Sequence, residues 1–448
     1  MNSLELRAAF SLAFIYVLRM LGLFMIMPVM ALAARHYPDY SVLLVGLAIG
    51  GYGLTQALLQ IPMGVLSDKI GRKPVIILGL LLFALGSLLA GLADSLVWVV
   101  IGRFLQGAGA IAGAIMALAG DLSRDNQRPK VMAIIGVAIG FSFYIALLLG
   151  PVIANGYGLQ GIFLATGCLA LCCIALVLFV VPGAQNVAPK GDTLPVLSDL
   201  KQLFRNPQLM RLNISVLLLH MLITLLFVHM PKFFVNLGWP LAEHWQLYSI
   251  VLVASIVGLS LIMGFGRKVQ QTRVLQLCVL GLAMVFGLLA SSTPAFISLM
   301  VLISLFFTCF NYLEANFPAM VSNIAPAGKK GSAMGIYASF QFFGAFLGGV
   351  LSSVISQYLG AQWALALAAA LCTLWLLLIN GLLFGNGRLK RYTLKVTSQS
   401  VDRVARQLAT YEGVEDLTIM ADEKVIYIKV DGHKFDLRRA RKSLNLEE

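Results

Sequence analysis

Long apolar segments recur along most of this chain, and each can cross the hydrocarbon core of a bilayer, which takes roughly 20 helical residues. Of the 448 residues, 59% are hydrophobic and only 12% are charged, about half the charged share of a soluble protein. Such a chain cannot cover itself with a polar surface in water, so we predict an all-α membrane protein. The predicted spans, about twelve in number, are 10–33, 42–66, 74–93, 95–119, 129–153, 159–182, 210–236, 242–264, 274–291, 295–321, 332–357 and 361–384.

Basic residues lie in every second loop between these spans. One set of loops holds Arg7, Lys69, Arg72, Lys73, Arg124, Arg128, Lys130, Lys190, Lys201, Arg205, Arg211, Arg267, Lys268, Arg273, Lys329 and Lys330; the opposite set holds only Arg35 and Lys232. Loops rich in Lys and Arg stay in the cytoplasm, so we expect a multi-pass protein of the cell inner (plasma) membrane with both termini cytoplasmic. The net charge of +13 is then a consequence of membrane topology. A nucleic-acid partner would require a basic face with aromatic residues between the charges, and the sequence contains no such pattern, so we expect none.

A hydrophilic gap at 183–209 divides the predicted spans into six and six. This arrangement indicates a duplicated transporter, with an N-terminal six-helix bundle at 1–182, a cytoplasmic linker at 183–209 and a C-terminal six-helix bundle at 210–387. The first span has no small-residue cleavage site, so we expect it to be retained. The six cysteines fall inside predicted spans and lack zinc-site spacing, so we expect no disulfide, no metal site and no cofactor.

Residues 388–448 are far more polar and predict a small soluble α+β domain. Strands are expected at 391–397, 414–420 and 424–430, and helices at 400–411 and 435–444. This β-α-β-β-α order resembles a ferredoxin-like domain without its last strand. The domain has no cysteine, unlike the metal-binding domains of that fold. Regulation, a protein partner and weak self-association through a strand edge stay open as its role. The run Arg438, Arg439, Arg441 and Lys442 suits either anionic lipid headgroups or a solvated helix face.

The loop after the second predicted span has a recognisable motif. It reads Gly64-Val65-Leu66-Ser67-Asp68-Lys69-Ile70-Gly71-Arg72-Lys73, which matches G-x-x-x-D-[RK]-x-G-R-[RK]. This loop resembles the cytoplasmic signature loop of the major facilitator superfamily. The resemblance implies two six-helix bundles that alternate access to a central site, and a transporter rather than an enzyme. The sequence contains no Walker A motif, so we do not expect ATP to be the energy source.

The resemblance also implies that the loop is a latch that closes the cytoplasmic face. Asp68 would approach the N-terminus of the eleventh helix near Gly331, where an anion is favoured. Arg72 would pair with Asp121, or else with Asp125, at the end of the fourth helix. The alternative is a basic loop that only sets topology, which explains the lysines but not the acid.

Arg103-Phe104-Leu105-Gln106-Gly107 resembles the R-x-x-Q-G motif of proton-linked members of this family. This resemblance implies that Arg103 tunes proton transfer. The alternative is an internal strut in which Arg103 is hydrogen-bonded to Gln56 or Gln60. A buried guanidinium needs a partner or a water-filled cavity in either case.

Gly150-Pro151 resembles the antiporter motif G-x-x-x-G-P-x-x-G-G of drug exporters. Ala146 and Ala154-Asn155 replace its other glycines, so only the central pair remains. Together with Leu21-Gly22 and Pro28 in the first span, this pair makes the chain resemble the twelve-helix drug:proton antiporter family.

Ionisable residues inside apolar spans are candidates for function. His220 lies in the seventh span and Glu314 in the tenth, and histidine changes charge near neutral pH. The alternative for His220 is a neutral imidazole bonded across helices, and the alternative for Glu314 is an acid bonded to Asn311, Asn316 or a neighbouring helix. His229 is a weaker candidate nearer the outer surface.

Polar residues of several spans could line one central cavity: Arg19, Tyr52, Gln56, Asn311, Tyr337 and Gln341. Arg19 would partner an acid or an anionic substrate. An apolar cavity with scattered polar groups suits amphipathic organic molecules. We therefore expect a carrier that exports such molecules while protons move the other way. A nutrient symporter, or a sensor that signals through 388–448, is the alternative.

Overall fold

The computed structural model describes residues 1–124, 127–183, 197–266, 269–382, 389–396, 401–420, 425–431, 434–437 and 440. The following therefore lie outside the described residues: 184–196 of the predicted linker, the pair Arg267-Lys268, Asp125, most of the predicted helix 435–444 and the basic run at 438–442. The α-helices up to residue 382 are α1 (Ser3–Phe24), α2 (Met30–Ala33), α3 (Val42–Ile70), α4 (Arg72–Gly91), α5 (Leu96–Ala108), α6 (Ala112–Asp121), α7 (Arg128–Phe179), α8 (Leu197–Arg205), α9 (Pro207–Asn236), α10 (His244–Gly266), α11 (Gln271–Ser291), α12 (Phe296–Ile324), α13 (Lys330–Tyr358) and α14 (Ala361–Asn380).

Within the described ranges, eleven helical segments are long and apolar enough to cross a membrane. The fifth and sixth predicted spans both lie in α7, a run of 52 residues that consists of two helices joined at a kink. Gly158, at φ 64° and ψ −166°, is the non-helical residue at this kink. A single straight helix of that length would be about 80 Å long at about 1.5 Å per residue, well beyond a hydrocarbon core of about 30 Å.

Two predicted spans, the first and the fourth, have different bounds in the structure. The first span was expected to begin at residue 10, but α1 begins at Ser3 because Asn2 and Glu5 form a reciprocal capping box. It also stops at Phe24 rather than continuing to residue 33. The fourth span, expected as one helix at 95–119, is broken into α5 and α6 at residues 109–111.

The signature loop marks one end of the helical region. We call the end that holds residues 64–73 the signature end and the opposite end the far end. At the far end, α3 and α13 touch through glycine: a Cβ on Gly46 would lie 2.3 Å from the carbonyl oxygen of Gly349, and one on Gly50 would lie 2.8 Å from that of Phe346. Backbone contact this close requires glycine, so the two halves of the chain are pressed together at the far end.

Aromatic rings fill the space between the halves next to this contact. The ring of Phe143 on α7 lies 5.0 Å from that of Phe24, 6.4 Å from that of Phe227 and 6.1 Å from that of Phe307, measured between centroids. Phe24 belongs to the first half of the chain, whereas Phe227 and Phe307 belong to the second. The cluster therefore joins the halves by apolar packing.

We expect Gly349→Val to force the far ends of α3 and α13 apart. The new Cβ would meet the Gly46 carbonyl oxygen at 2.5 Å and the Gly50 nitrogen at 3.1 Å, and backbone atoms cannot rotate away. Spin labels at the far ends of both helices should report longer distances. Gly136→Val on α7 is the matched control, because nothing lies within 4 Å of its Cβ position; equal distance distributions in the two variants would contradict the prediction.

The C-terminal region forms a small antiparallel sheet. Its elements are β1 (Leu389–Lys395), α15 (Val401–Ala409), β2 (Val414–Met420) and β3 (Val425–Asp431), with strand order β1-β3-β2. The three predicted strands and the first predicted helix are confirmed, with shifts of one or two residues. Val404 and Leu408 of α15 pack against Ile426 and Ile428 on one face of β3.

The opposite face of β3 lies on the helical region. Val425 and Tyr427 form a buried cluster with Ala327, in the loop between α12 and α13. The Ala327 N–H donates to Oδ2 of Asp416 at 2.8 Å. A Cβ on Gly328 would lie 2.6 Å from the Tyr427 ring. The sheet is thus docked on the loop that leads directly into α13.

Tyr427→Ala should loosen this docking without unfolding the helical region. Truncation of a buried aromatic residue costs about 3–5 kcal/mol, and the Ala327 N–H would lose its protection when Asp416 moves away. Amide hydrogen exchange of a peptide that covers 325–329 is the measurement, and exchange should be faster in Tyr427→Ala and in Asp416→Ala. Glu415→Ala, on the exposed neighbouring residue, should exchange as wild type does. If exchange in Tyr427→Ala and Asp416→Ala is as slow as in the Glu415→Ala control, the sheet does not protect the loop.

Candidate functional site

A hydrogen-bonded network of three polar side chains links three helices of the second half. The amide nitrogen Nε2 of Gln341 on α13 lies 2.8 Å from Nε2 of His220 on α9. The same nitrogen donates to Oε1 of Glu314 on α12 at 3.2 Å. Nε2 of His220 and Oε2 of Glu314 are 3.8 Å apart. The two ionisable residues named from the sequence therefore lie side by side, and Gln341 bridges them.

The hydrogen bonds define how the neutral His220 ring is oriented. Nδ1 lies 3.2 Å from the carbonyl oxygen of Val216, an acceptor. Nδ1 therefore carries the hydrogen, and Nε2 accepts from Gln341. A doubly protonated ring would carry donors at both nitrogens, so Nε2 could then no longer accept from the Gln341 amide.

Of the alternative partners expected for Glu314, a bond to a neighbouring helix is present, through Gln341 of α13, whereas bonds to Asn311 and Asn316 are absent from the described residues. Asn311 instead donates to the hydroxyl of Tyr144 on α7 at 3.0 Å. Asn316 donates to the Tyr312 carbonyl oxygen at 2.7 Å. The Asn311–Tyr144 bond is a polar contact between the two halves of the chain.

Arg19 on α1 is at the centre of a second polar cluster, in the first half. Its Nη2 donates to the hydroxyl of Tyr52 at 2.8 Å, to Oε1 of Gln56 at 2.9 Å and to the carbonyl oxygen of Gly109 at 2.8 Å. Gly109 lies at the break between α5 and α6, where a carbonyl has lost its helical partner. Sequence reasoning grouped Arg19, Tyr52 and Gln56 correctly but missed this break, although the small-residue run 107–110 was a signal for it.

Arg103 makes different bonds from those expected. Its Nε donates to the Ala48 carbonyl oxygen at 2.9 Å, and its Nη1 donates to Oε1 of Gln106 at 2.8 Å. The predicted bonds to Gln56 and Gln60 are absent from the described residues; those two amides bond to each other at 2.9 Å. The Arg103 guanidinium instead lies over the Tyr52 ring, 5.2 Å from its centroid, so Tyr52 separates the two buried arginines.

Two other candidates, His229 and Tyr337, differ in their distance from these clusters. His229 is buried and its Nε2 lies 2.9 Å from Oγ of Ser352, a bond that joins α9 to α13. Tyr337 is buried on α13 one turn before Gln341, and within the described residues its hydroxyl has no hydrogen-bond partner. Tyr337 therefore borders the ionisable network, whereas His229 belongs to helix packing.

The signature loop has the geometry that the family resemblance implied. Gly71 adopts φ 99° between α3 and α4, a conformation that favours glycine. Nε of Arg72 bonds Oδ2 of Asp121 at 3.0 Å, and its Nη2 lies 3.3 Å from Oδ1 of Asp68. Lys73 donates to the Val181 carbonyl oxygen at 2.7 Å. The expected Arg72–Asp121 pair is confirmed, while a contact of Asp68 with α13 stays a prediction. Gly64 also lies in this loop region, where its carbonyl oxygen accepts from Ser67.

Gly150 and Pro151 lie in α7 against the turn after α1. A Cβ on Gly150 would lie 2.5 Å from the carbonyl oxygen of Met25 and 3.2 Å from Cγ of Pro28. The glycine therefore lets α7 approach an irregular stretch of backbone closely. The pair has a packing role at this place, whatever its role in transport.

Comparison with known proteins identifies the fold. The profile of the Major Facilitator Superfamily matches residues 12–317 and 273–410. The chain is 37% identical over 449 residues to the inner membrane transport protein YajR of Escherichia coli K12, covering 97% of each chain. It is 24% identical to multidrug resistance protein 2 of Bacillus subtilis, over 79% of this chain and 92% of that protein. A point mutant of the nucleoside transporter NupG has a similar fold, with a TM-score of 0.66 at 14% identity over 84% of this chain and 99% of that one.

Proposed function

The chain belongs to the major facilitator superfamily, and we propose that it is a proton-coupled secondary transporter that exports amphipathic, drug-like organic molecules by alternating access. Membership makes it a membrane transporter and not an enzyme. Lipid, a small-molecule substrate and protons are its proposed partners.

The His220–Gln341–Glu314 network is the observation that carries the proposal. It places two groups able to hold a proton within 3.8 Å of each other inside an apolar helix assembly, where ionisable residues form proton relays. Its three residues come from three helices, so protonation can bias how those helices pack. Coupling between a proton and a conformation requires such differential contacts.

Proposed topology follows from helix length and charge. A 52-residue α7 crosses twice, with Gly158 at the turn, which gives twelve crossings in bundles at 1–182 and 210–387. The basic loops place both termini, the linker 183–209 and a ferredoxin-like domain at 388–448 on the cytoplasmic side of the cell inner membrane.

The proposed alternation is a rocking of the two halves. Glycine contacts between α3 and α13 close the far end, while the Asp68, Arg72 and Asp121 cluster stands at the signature end. Formation and loss of the latch would select between states open to opposite sides. The aromatic packing of Phe143 against both halves suits an amphipathic cargo, since apolar surface dominates small-molecule sites.

Proton-driven uptake of a nutrient is the second candidate. Ala146 and Ala154-Asn155 stand where the drug-export motif has glycines, and a nucleoside transporter shares the fold. This candidate uses the same ionisable network but couples the proton in the same direction as the cargo.

Direction-resolved flux distinguishes the candidates. Purified protein in liposomes would be given a pH gradient of either sign, with the compound that raises its melting temperature most in a thermal-shift screen. Export predicts that the compound and protons cross the membrane in opposite directions, and uptake predicts that they cross in the same direction. A flux of the compound that is unchanged by a pH gradient of either sign would refute both candidate functions.

A further inference from the structure

The buried cluster around Arg19 bears on the class of substrate, and the inference rests on the proposed transport function. We propose that Arg19 and the break between α5 and α6 form a subsite for an oxyanion. The transported amphipathic molecules would then carry a carboxylate or a similar acidic group.

Arg19 keeps donors that nothing in the described part of the protein satisfies. The residue is only 2% exposed, and all its hydrogen bonds are made by Nη2, to neutral acceptors. Nε and Nη1 are buried and have no partner among the described residues. No carboxylate of those residues lies within 4.0 Å of the guanidinium. A buried charge in a membrane is costly unless it is paired, so Arg19 is suited to pair with an anion from outside the chain.

The helix break supplies a second, independent attraction for an anion. The Gly109 carbonyl oxygen that Arg19 binds lies at the end of α5, and α6 begins three residues later at Ala112 without a side-chain cap. The first N–H groups of a helix have no intrahelical partner, and the N-terminus carries a partial positive charge. In interrupted membrane helices such N-termini bind anionic substrate groups. Both attractive features thus meet at residues 109–112.

The surroundings add positive charge close to the interface between the halves. Arg103 is fully buried, and its Nη2 also lacks a partner within the described residues. The Tyr52 ring, which contacts both arginines, lies 6.3 Å from the ring of Phe342 on α13. The positive centre is therefore one aromatic ring away from the second half of the chain.

Among the described residues, the buried acids of the first half are engaged elsewhere. Asp121 pairs with Arg72, and Glu5 pairs with Arg124 at 2.8 Å, both at the signature end. In the second half, Glu314 is bonded to Gln341. A substrate acid group would supply the counter-ion that Nε and Nη1 of Arg19 lack among these residues, and it would leave the neutral Tyr52 and Gln56 contacts in place.

Matched aromatic probes test the proposal. Full-length protein in nanodiscs would be titrated with 2-naphthoate, 2-naphthamide and 2-naphthylmethylamine, with empty nanodiscs subtracted. A charge-assisted hydrogen bond favours the carboxylate by roughly tenfold to hundredfold. Arg19→Gln should abolish this preference, and Arg19→Lys, which keeps the charge but loses the fork, should retain part of it. Arg7→Gln, on an exposed arginine of the same helix, should change nothing.

Three results would overturn the oxyanion subsite: equal affinity for the carboxylate and the amide, no binding of any probe, or an intact preference in folded Arg19→Gln. Gel filtration and melting temperature establish folding, and Arg19→Lys serves alone if the Gln variant does not fold. Failure of the proposed function would look different. A preference for the carboxylate that depends on Arg19, in a protein that shows no proton-driven flux, would refute proton-coupled transport and leave the oxyanion subsite supported.

Discussion

Glu314→Gln should reduce proton-driven transport to the rate of protein-free liposomes while leaving the protein folded. The change removes the titratable group but keeps the size of the side chain and an oxygen that can accept from Gln341, which now donates to Oε1 at 3.2 Å. Substrate exchange without a pH gradient should persist, because exchange needs only the alternation of the two halves. Flux under an imposed pH gradient and exchange at equal pH are the two measurements.

His220→Gln should act in the same way, because Nε2 of His220 lies 3.8 Å from Oε2 of Glu314 and we expect the two groups to act as a pair. Glu243→Gln and His36→Gln repeat the two changes at exposed positions and should keep full coupling. Wild-type proton-driven flux in both Glu314→Gln and His220→Gln would remove this network from the mechanism.

Asp121→Asn should destabilise the whole carrier, whereas Asp68→Asn should mainly change its conformation. The side chains of Arg72 and Asp121 are 8% and 3% exposed, and removal of one partner from a buried pair costs about 3–5 kcal/mol. Asp68 is 24% exposed at 3.3 Å from Arg72. An anion near a helix N-terminus contributes about 0.3–2 kcal/mol, so its loss should shift a two-state population and spare folding.

Thermal unfolding and spin-label distances separate these two effects. The melting temperature should fall clearly in Asp121→Asn and little in Asp68→Asn. Labels on the signature ends of α3 and α13 should show longer distances in Asp68→Asn, the signature of a latch that opens more often. Identical distance distributions in Asp68→Asn and wild type would contradict the latch hypothesis, and the charges of this loop would then serve only to set membrane topology.

Contacts that a motif specifies were predictable from the sequence, and other contacts between distant helices were not. Gly71 is fixed locally by the turn between α3 and α4, whereas the pair of Arg72 with Asp121, 49 residues apart, was predictable only because the family resemblance implied it. His220 and Glu314 were each conspicuous as ionisable residues in apolar spans. Their proximity depends on how three helices pack, and hydropathy carries no information about that.

The breaks in helices were the least predictable part of the fold. The interruption at 109–111 lies within an apolar segment that reads as one span. The Gly109 carbonyl oxygen, which has no helical partner there, accepts from Arg19, about 90 residues away in the chain. Conversely, the expected gap between the fifth and sixth spans shrinks to Gly158 in α7. The docking of Tyr427 on the 325–329 loop also had no sequence signal, since alternating strands do not indicate which face meets another domain.

Proton movement driven by substrate tests the central claim most directly. Liposomes that contain the purified protein and a pH-sensitive dye would be given a gradient of the transported compound at equal pH on both sides. The account predicts that the compartment which gains the compound loses protons, and that Glu314→Gln abolishes the pH change. A compound gradient that collapses through the wild-type protein with no change in internal pH would contradict proton coupling.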